Sequence, residues 1–585
     1  MSRLWKLLAA AAVLYVLLFG ATFLTDPLGQ APVLDARENI AWASAIRAHA
    51  LPQEPIYRAL LYPLVLAKLP ASSLPAAATF FGLAMHLISA GLVGLIALRL
   101  WRNRRAAWFA ALLFVVYPVA LYFAGQVLDI TFSITLFLAG VYALLRSMDA
   151  ESPRIQISLG LVAGLLGGLA VLARPNFLPA VLCFPVVILF AKSRPWQASL
   201  TLTASLLLML CVQGFANYKL SGQFRLLPWQ GAYNLYAANR AGANGKYYMQ
   251  RVSFDEVPAG ANTTRMESDY LYRQALGVDA PMTIDAMNAH WRGQLVESVT
   301  ADPLRWLSLM GRKCLYVFNN WEQYNNLSYA YHKARWPLLA LNPLGWGVLL
   351  IAAAMGLYFG YAQSLRPAFY AIALLGLAYT AGLLLFFVSA RFRLPLAPLL
   401  CIAAGGCAFL RWPLTQRQTG VFTVLIIGLS VLTYGNWFES KDRTTFIQDE
   451  LLLAKASSQV GDDLQALELS RSVLARDPQR AEAQRFELSS LFNLWLVSDE
   501  STDWQAIGNA LRTIQSSDAS VGFIRGVYLW RSGQPQQAVA AWKSATQDYG
   551  ALAQSSTDAL QAVSKLPWDA ARAEAVEQIR SVLER

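Results

Sequence analysis

The sequence predicts an all-α polytopic membrane protein with about eleven transmembrane helices, amphipathic helices on the outer face and a C-terminal helical repeat domain. Two observations from composition and pattern predict this class. The 585 residues are 56% hydrophobic and only 14% charged, whereas an average soluble domain is about 25% charged. Eleven apolar stretches, most of them near the 20 residues that cross hydrocarbon, precede residue 440, and none follows it.

Charge is distributed unevenly along the chain. Residues 441–585 carry 15 Lys and Arg against 19 Asp and Glu, so the net charge of +12 arises entirely within residues 1–440. A basic excess in a membrane domain is typical of its cytoplasmic loops and does not indicate nucleic-acid binding. The five cysteines form no CxxC pair, so the sequence predicts neither a disulfide framework nor a zinc site.

The apolar stretches set the predicted topology. Their approximate bounds are 4–24, 75–98, 106–123, 130–145, 156–173, 176–191, 196–217, 343–362, 368–388, 394–410 and 420–437. The first stretch is also compatible with a signal peptide, but no convincing cleavage pattern ends it. A basic N-terminus starts the count in the cytoplasm. Residues 25–74, 218–342 and 438–585 are therefore expected outside, with Arg99, Arg102, Arg104 and Arg105 in the first inner loop.

Carboxylates mark two of the outer segments. Asp35 and Glu38 are three residues apart and share one face if the segment is helical. The alternative is a helix start with acids near its N-terminus. Asp129 opens the fourth span, where a carboxylate is tolerated if it faces water. It is either a helix cap or the partner of Asp35 across a cavity.

Basic residues occur on the outer side, against the usual charge bias. Arg174 ends the fifth span before Pro175, and Arg391 and Arg393 lie at the outer end of the ninth. Guanidinium groups can fork onto phosphate oxygens in a way that lysine cannot. We therefore predict a phosphate site, with an arginine that reaches past the lipid to water as the alternative for Arg174.

The large outer loop is rich in aromatic and amide side chains. Trp229, Tyr233, Asn234 and Asn239 could stack on a sugar ring and bond its hydroxyls. The alternative is an interfacial aromatic belt. Residues 283–318 are predicted to form one amphipathic helix along the outer leaflet.

In combination these segments resemble the C-type glycosyltransferases, and most closely the bacterial dolichyl-phosphate-mannose protein mannosyltransferase-like proteins. The resemblance covers about residues 1–440. It is carried by the order of the acids and arginines and by three segments, which read LDARE (34–38), PIYRALLYPL (55–64) and GAYNLYAANR (231–240).

The resemblance implies transfer of a sugar from a polyprenyl-phosphate donor to a protein, lipid or glycan acceptor on the outer face of a bacterial plasma membrane. It implies that Asp35 and Asp129 are the first-loop and second-loop acids, and Glu54 matches a further acid more loosely. Ala232 replaces the second glycine of the family's Gly-Gly-Asn-like turn, which puts the geometry of that loop in doubt. Metal use varies across the superfamily; no cofactor is predicted and a divalent ion is left open.

Residues 446–585 are predicted to form a separate outer domain. Gly461 is followed by Ala466 at five residues and by Pro478 at seventeen, and Gly533 is likewise followed by Ala538 at five. This pattern resembles the tetratricopeptide repeat and predicts a surface for an acceptor or a protein partner. A plain helical bundle is the alternative.

Two other functions remain open from the sequence. An O-antigen polymerase or ligase also combines many spans with an outer loop, but its key loop comes late in the chain. A transporter or flippase of lipid-linked sugar would place polar groups on a path at mid-membrane.

Overall fold

The computed structural model describes residues 3–191, 196–252, 254, 262–441, 445–498, 501–514, 519–546 and 565, and every regular element in these ranges is a helix. The all-α class predicted from the sequence is confirmed. The chain divides into two compact units, Met1–Arg443 and Thr444–Arg585.

Unit 1 is a polytopic membrane domain. Eight of its described helices are long and apolar enough to cross a membrane. These are α1 (Arg3–Thr25), α5 (Leu74–Trp101), α8 (Asp129–Asp149), α9 (Pro153–Ala173), α12 (Trp196–Ser221), α19 (Trp346–Gly360, extended by a 3-10 turn to Gln363), α20 (Arg366–Leu385) and α23 (Gln416–Tyr434). A ninth is a pair of helices bent by 52°, α6 (Arg104–Val115) and α7 (Pro118–Gly125).

The other two predicted spans are broken, shorter apolar helices. One comprises 3-10 turns around α10 (Leu178–Val181) and α11 (Phe184–Val187), and the other contains α21 (Ala390–Arg393) and α22 (Leu396–Ala404). Proline explains both, because it lacks the N–H that continues a helix. Pro179 and Pro185 interrupt the first segment, and Pro395 separates α21 from α22.

Small residues bring the membrane helices close together. α9 packs along both α8 and α12. At Gly164 of α9, an added Cβ would lie 2.3 Å from the carbonyl oxygen of Leu202 in α12. The two backbones therefore approach closely where a glycine allows it, as is typical of helices packed in lipid.

Shorter helices occupy the two polar segments. The first segment contains α2 (Pro27–Gln30), α3 (Asp35–Arg47) and α4 (Leu61–Leu66). The second contains α13 (Gly231–Asn239), α14 (Thr263–Leu276), α15 (Ile284–Ala301), α16 (Pro303–Phe318), α17 (Tyr329–Arg335) and α18 (Pro337–Ala340).

The prediction of one continuous helix over 283–318 is wrong, because the segment forms two helices. α15 ends at Ala301, and Asp302 caps a new helix that begins at Pro303. α16 nevertheless has two distinct faces. Its outward face is apolar, with Leu304 and Leu307 exposed, while its inner face buries Lys313.

Unit 2 contains six described helices, which are α24 (Ile447–Gln459), α25 (Asp463–Leu474), α26 (Ala481–Ser498), α27 (Ser501–Thr513), α28 (Ala519–Arg531) and α29 (Pro535–Thr546). Gly461 and Gly533, both at positive φ, make the turns of the α24–α25 and α28–α29 hairpins. Ala538 and Trp542 are fully buried in the core. These are the two windows with recurrent spacing, but their assignment to a repeat family stays a prediction. Most of 547–585 lies outside the described residues.

Candidate active site

Asp35 and Glu38 lie on one face of α3, and a single arginine binds both. Asp35 is the first residue of α3, after Leu34, whose φ is 52°. The Arg58 Nη1 donates to Asp35 Oδ1 at 3.2 Å and also to Glu38 Oε2. Glu38 is buried and accepts a second hydrogen bond from Asn262 Nδ2 at 3.0 Å. The spacing of the two acids thus produces the shared face expected of a helix.

Asp129 and Arg174 form a second ion pair. Asp129 begins α8 and Arg174 caps the end of α9, so the two spans bring these residues together at adjacent ends. Arg174 Nη1 donates to Asp129 Oδ1 at 2.8 Å. Arg174 is only 3% exposed, so a lipid-anchoring arginine that reaches water does not describe it.

Arg391 connects the two pairs. Its Nη1 lies 2.8 Å from Asp35 Oδ2. The ring of Phe392 lies next to both arginines, with its centroid 4.8 Å from the Arg174 guanidinium carbon and 5.7 Å from that of Arg391. The two pairs therefore form one ionic cluster, defined here as Asp35, Glu38, Arg58, Asp129, Arg174 and Arg391.

The cluster lies where several membrane helices end. It joins the segment that follows α1, the start of α8, the end of α9 and the segment that follows α20. These ends consequently lie on one side of the membrane domain, as an alternating topology requires. Which side faces the cytoplasm stays a prediction.

Several buried donors of the cluster lack an acceptor. Within the described residues, Arg174 Nε and Nη2 and Arg391 Nε have no hydrogen-bond partner. A buried N–H without an acceptor is costly. Together these groups offer a phosphate several charged donors in a site that is largely shielded from water.

The carboxylate of Asp35 is held as an anion. Burial by itself would raise the pKa of Asp35, but the neighbouring Arg58 and Arg391 outweigh it and keep that pKa well below its usual value. The Asn326 side chain adds a hydrogen bond in the same direction. The cluster balances three carboxylates with three guanidinium groups. Within the described residues, no group of three or more His, Cys, Asp or Glu is arranged to hold a metal ion.

Arg393 lies apart from the ionic cluster, although the sequence predicts that it binds the donor phosphate together with Arg391. It is 1% exposed and pairs with Glu322 at 2.8 Å. Its guanidinium donates to the carbonyl oxygens of Tyr316, Val317, Asn319 and Trp321. Residues two apart on a helix point about 200° apart, so Arg391 and Arg393 face opposite ways.

Glu54 is also outside the cluster. It binds Arg265, with Arg265 Nη2 2.6 Å from Glu54 Oε2. Arg265 in turn lies over the rings of Tyr57 and Trp229. Glu54 therefore joins the two polar segments, and its catalytic role stays a prediction.

Three of the four predicted sugar contacts are structural. Trp229 and Tyr233 are buried, where they donate to Pro55 O and Glu267 Oε1. Asn239 Oδ1 accepts from Lys313 Nζ, and its Nδ2 donates to Leu385 O. Buried aromatic and amide groups need such partners. Asn234 alone is half-buried with no side-chain hydrogen bond to the described residues, so it remains a candidate contact.

Arg58 was not among the predicted site residues. A signal existed, because it is a basic residue in a segment expected outside the membrane, within one of the three segments that carry the family resemblance. Its partners Asp35 and Glu38 lie 23 and 20 residues away, and spacing alone could not pair them.

Comparisons with known proteins bear on this arrangement of helices. No protein-family profile matches the chain, and no curated protein matches its sequence. Among solved structures, an oligosaccharyltransferase of Archaeoglobus fulgidus is 13% identical with a TM-score of 0.40; the match covers 85% of this chain and 59% of that one. ArnT of Cupriavidus metallidurans is 12% identical with a TM-score of 0.39, covering 88% and 78%.

A further structure, ArnT bound to undecaprenyl phosphate, is 11% identical with a TM-score of 0.38 and covers 89% of this chain and 80% of that one. The chain spans about three-fifths of the length of the oligosaccharyltransferase.

Proposed function

We propose that the protein is a membrane glycosyltransferase that moves a sugar from a polyprenyl-phosphate donor to a hydroxyl acceptor on the outer face of a bacterial plasma membrane. The observation that carries this proposal is the ionic cluster. It places a carboxylate base beside buried guanidinium donors that have no acceptor, at the ends of apolar helices. A lipid chain, a phosphate and a nucleophile can meet only at such a boundary.

The arginines suit the leaving group. When the acceptor oxygen attacks the anomeric carbon, the bond from that carbon to the phosphate oxygen breaks. The lipid phosphate leaves with the bonding electrons and gains negative charge. Arg174 and Arg391 both lie next to the Phe392 ring. Fixed donors aimed at developing charge are usually the largest single contribution to catalysis.

Asp35 is the proposed base. It takes the proton of the acceptor hydroxyl as the new bond forms, and a single displacement inverts the configuration at the anomeric carbon. Asp129 is proposed to orient Arg174 through their 2.8 Å pair. Glu38, which is buried and bound to Arg58, contributes indirectly.

A transporter is less well supported. Such a protein is expected to carry ionisable groups along a path at mid-membrane. The charged residues of α8 instead lie at or near its ends, at Asp129, Arg146 and Asp149, and Arg174 lies just past the end of α9. Charges at the ends of spans favour chemistry at the membrane surface.

The test is transfer by the purified protein in lipid nanodiscs, with a panel of radiolabelled polyprenyl-phosphate sugars. We expect one donor to be consumed with release of polyprenyl phosphate. Asp35→Asn should reduce turnover by about 10²–10⁴-fold, the usual contribution of a general base. Asp35→Glu should recover little, because a shift of about 1 Å misaligns the base.

Asp285→Asn is the matched control. Asp285 is another carboxylate of the polar segments that pairs with an arginine, Arg225. Its side chain is 80% exposed, and neither residue belongs to the ionic cluster. It should turn over like the unmodified protein. Normal turnover by Asp35→Asn, or no consumption of any donor in the panel, would contradict the proposed function.

A further inference from the structure

Arg391 takes part in two interactions, an ion pair with Asp35 and the proposed binding of the donor phosphate. Its guanidinium is one of the groups proposed to bind the donor phosphate, yet its Nη1 is already paired with Asp35 Oδ2 at 2.8 Å. The other oxygen of Asp35, Oδ1, is held by Arg58 at 3.2 Å. The proposed base is therefore bound by two arginines at once, and one of them belongs to the phosphate site.

We propose that Arg391 exchanges anions. Without donor it pairs with Asp35; the phosphate of the donor displaces this carboxylate, and Arg58 then keeps the released Asp35 in position for the acceptor. This inference rests on the proposed function and adds to it a binding order, donor before acceptor, and a positioning residue, Arg58.

The unmatched donors around Arg391 favour the exchange. The ion pair with Asp35 leaves the buried Nε of Arg391 without an acceptor. Arg174, which also lies next to the Phe392 ring, keeps two more N–H groups without a partner. A phosphate has more acceptor oxygens than Asp35 can present here. It can accept from both arginines together, and hydrogen bonds between charged groups are the strong ones.

Arg58 is placed to hold Asp35 after the exchange. Its Nη1 bonds both Asp35 and Glu38, and Glu38 is anchored in turn by Asn262 Nδ2 at 3.0 Å. Asp35 therefore keeps one cation when it loses the other. With only one guanidinium beside it, Asp35 becomes a stronger base at the moment when the sugar is present. Before the donor binds, both arginines hold Asp35, so it cannot act as a base in the absence of the sugar.

The exchange is tested by binding of farnesyl phosphate to the full-length protein in detergent, measured by calorimetry. Asp35→Asn removes the competing anion while keeping the shape. It should bind the probe at least tenfold more tightly, the lower limit of what a hydrogen bond between charged groups contributes. Asp35→Ser gives the same comparison if the Asn variant does not fold.

Glu38→Gln is the matched control for net charge. It removes one carboxylate from the same cluster, but one that pairs with Arg58 and not with Arg391. It should tighten binding much less than Asp35→Asn. In an Arg391→Gln background, Asp35→Asn should give no gain at all, since coupled residues lose their effect when the partner is absent.

The outcomes separate the two proposals. If the unmodified protein does not bind farnesyl phosphate, the proposed function itself fails. If it binds, but Asp35→Asn and Glu38→Gln shift the affinity equally or the gain persists without Arg391, the exchange is wrong and the proposed function stands.

Arg58 is tested by separating turnover from donor affinity. Arg58→Gln should lower kcat by tenfold or more while the KM for the donor stays within about twofold, and Arg58→Lys should restore part of kcat by keeping the charge. A rise in donor KM matching the loss in kcat would assign Arg58 to the phosphate instead and overturn its positioning role.

Discussion

Two arginines separated by one residue have different surroundings. Arg391 lies beside Asp35 with a free N–H, whereas Arg393 is surrounded by carbonyl oxygens and Glu322. Both were expected to bind phosphate. Because they face opposite sides of the short helix α21, only Arg391 belongs to the ionic cluster, and substitutions of the two arginines should have separable effects.

We predict that Arg391→Lys weakens binding of a polyprenyl phosphate about tenfold or more with little change in the thermal midpoint, since lysine loses the fork geometry. Arg393→Lys should instead destabilise the fold. Lysine cannot reach four carbonyl oxygens and Glu322 together, and each charged hydrogen bond contributes about 1.5–3 kcal/mol. Calorimetry and thermal melts on both variants check this. Equal effects on affinity would contradict the division of roles.

A buried lysine outside the spans gives a second prediction. Lys313 on α16 is fully buried, and its Nζ donates to Asn239 Oδ1 and Leu384 O. Burial lowers the pKa of Lys313 to about 7, from 10.5 for an ordinary lysine. Between these values the unfolded chain binds a proton that the folded chain does not, so this group makes the free energy of unfolding rise with pH.

The increase from Lys313 should approach about 1.4 kcal/mol per pH unit between pH 7 and 10. Lys313→Met, which keeps the length and removes the titrating group, should flatten that part of the curve. Thermal midpoints of both proteins from pH 6 to 10 in one detergent are the measurement. Parallel curves for the two proteins would show that Lys313 does not titrate in this window.

At the scale of elements, close contact between α9 and α12 depends on a missing side chain. An added Cβ at Gly164 would lie 2.0 Å from Ser205 Oγ and 2.3 Å from the Leu202 carbonyl oxygen. The hydroxyl can rotate away, but the backbone carbonyl cannot without separating the helices. Gly91 on α5 offers the contrast, because nothing lies within 4 Å of its added Cβ.

We therefore predict that Gly164→Ala lowers stability by about 1–3 kcal/mol, the usual cost of overpacking. Gly91→Ala should be neutral or slightly stabilising, since alanine is the better helix former. The midpoints of thermal unfolding of the two variants decide this. A tolerated Gly164→Ala would mean that α9 and α12 are not in such close contact.

At the scale of the whole molecule, the chain consists of two units with different chemistry. The ionic cluster lies entirely within Met1–Arg443. In the second unit, α25 to α29 build a core of their own around Trp495, Trp530 and Trp542. We propose that residues 446–585 bind the acceptor or a protein partner, as the repeat-like spacing predicts.

A protein that ends at residue 443 should consequently fold and bind farnesyl phosphate with unchanged affinity. Its transfer to the natural acceptor, measured in membranes of the source cell, should fall at least tenfold because the unit proposed to bind the acceptor is missing. The same truncation combined with Asp35→Asn measures the transfer that other enzymes in the membranes contribute. Full transfer by the shortened protein would show that the second unit is dispensable.

Local pattern predicted much of the fold. The eleven apolar stretches correspond to the eleven apolar helical segments, because apolar length is read directly from sequence. The prolines that break two of these segments are visible in the sequence too. The break before Pro303 was missed because the pattern of apolar residues continues across it.

The sequence alone showed that acids and arginines lie at the ends of spans. The three-residue spacing showed that Asp35 and Glu38 share a helix face. Tertiary packing alone decided which charges meet. The pairs Asp35–Arg391, Asp35–Arg58 and Asp129–Arg174 join distant parts of the chain. Packing also buried Trp229 and Tyr233 in a core. The chemical type of a side chain is given by the sequence, but its partner depends on where the other helices lie. The sequence therefore identified which charged groups are present, and only the tertiary structure decided which of them pair.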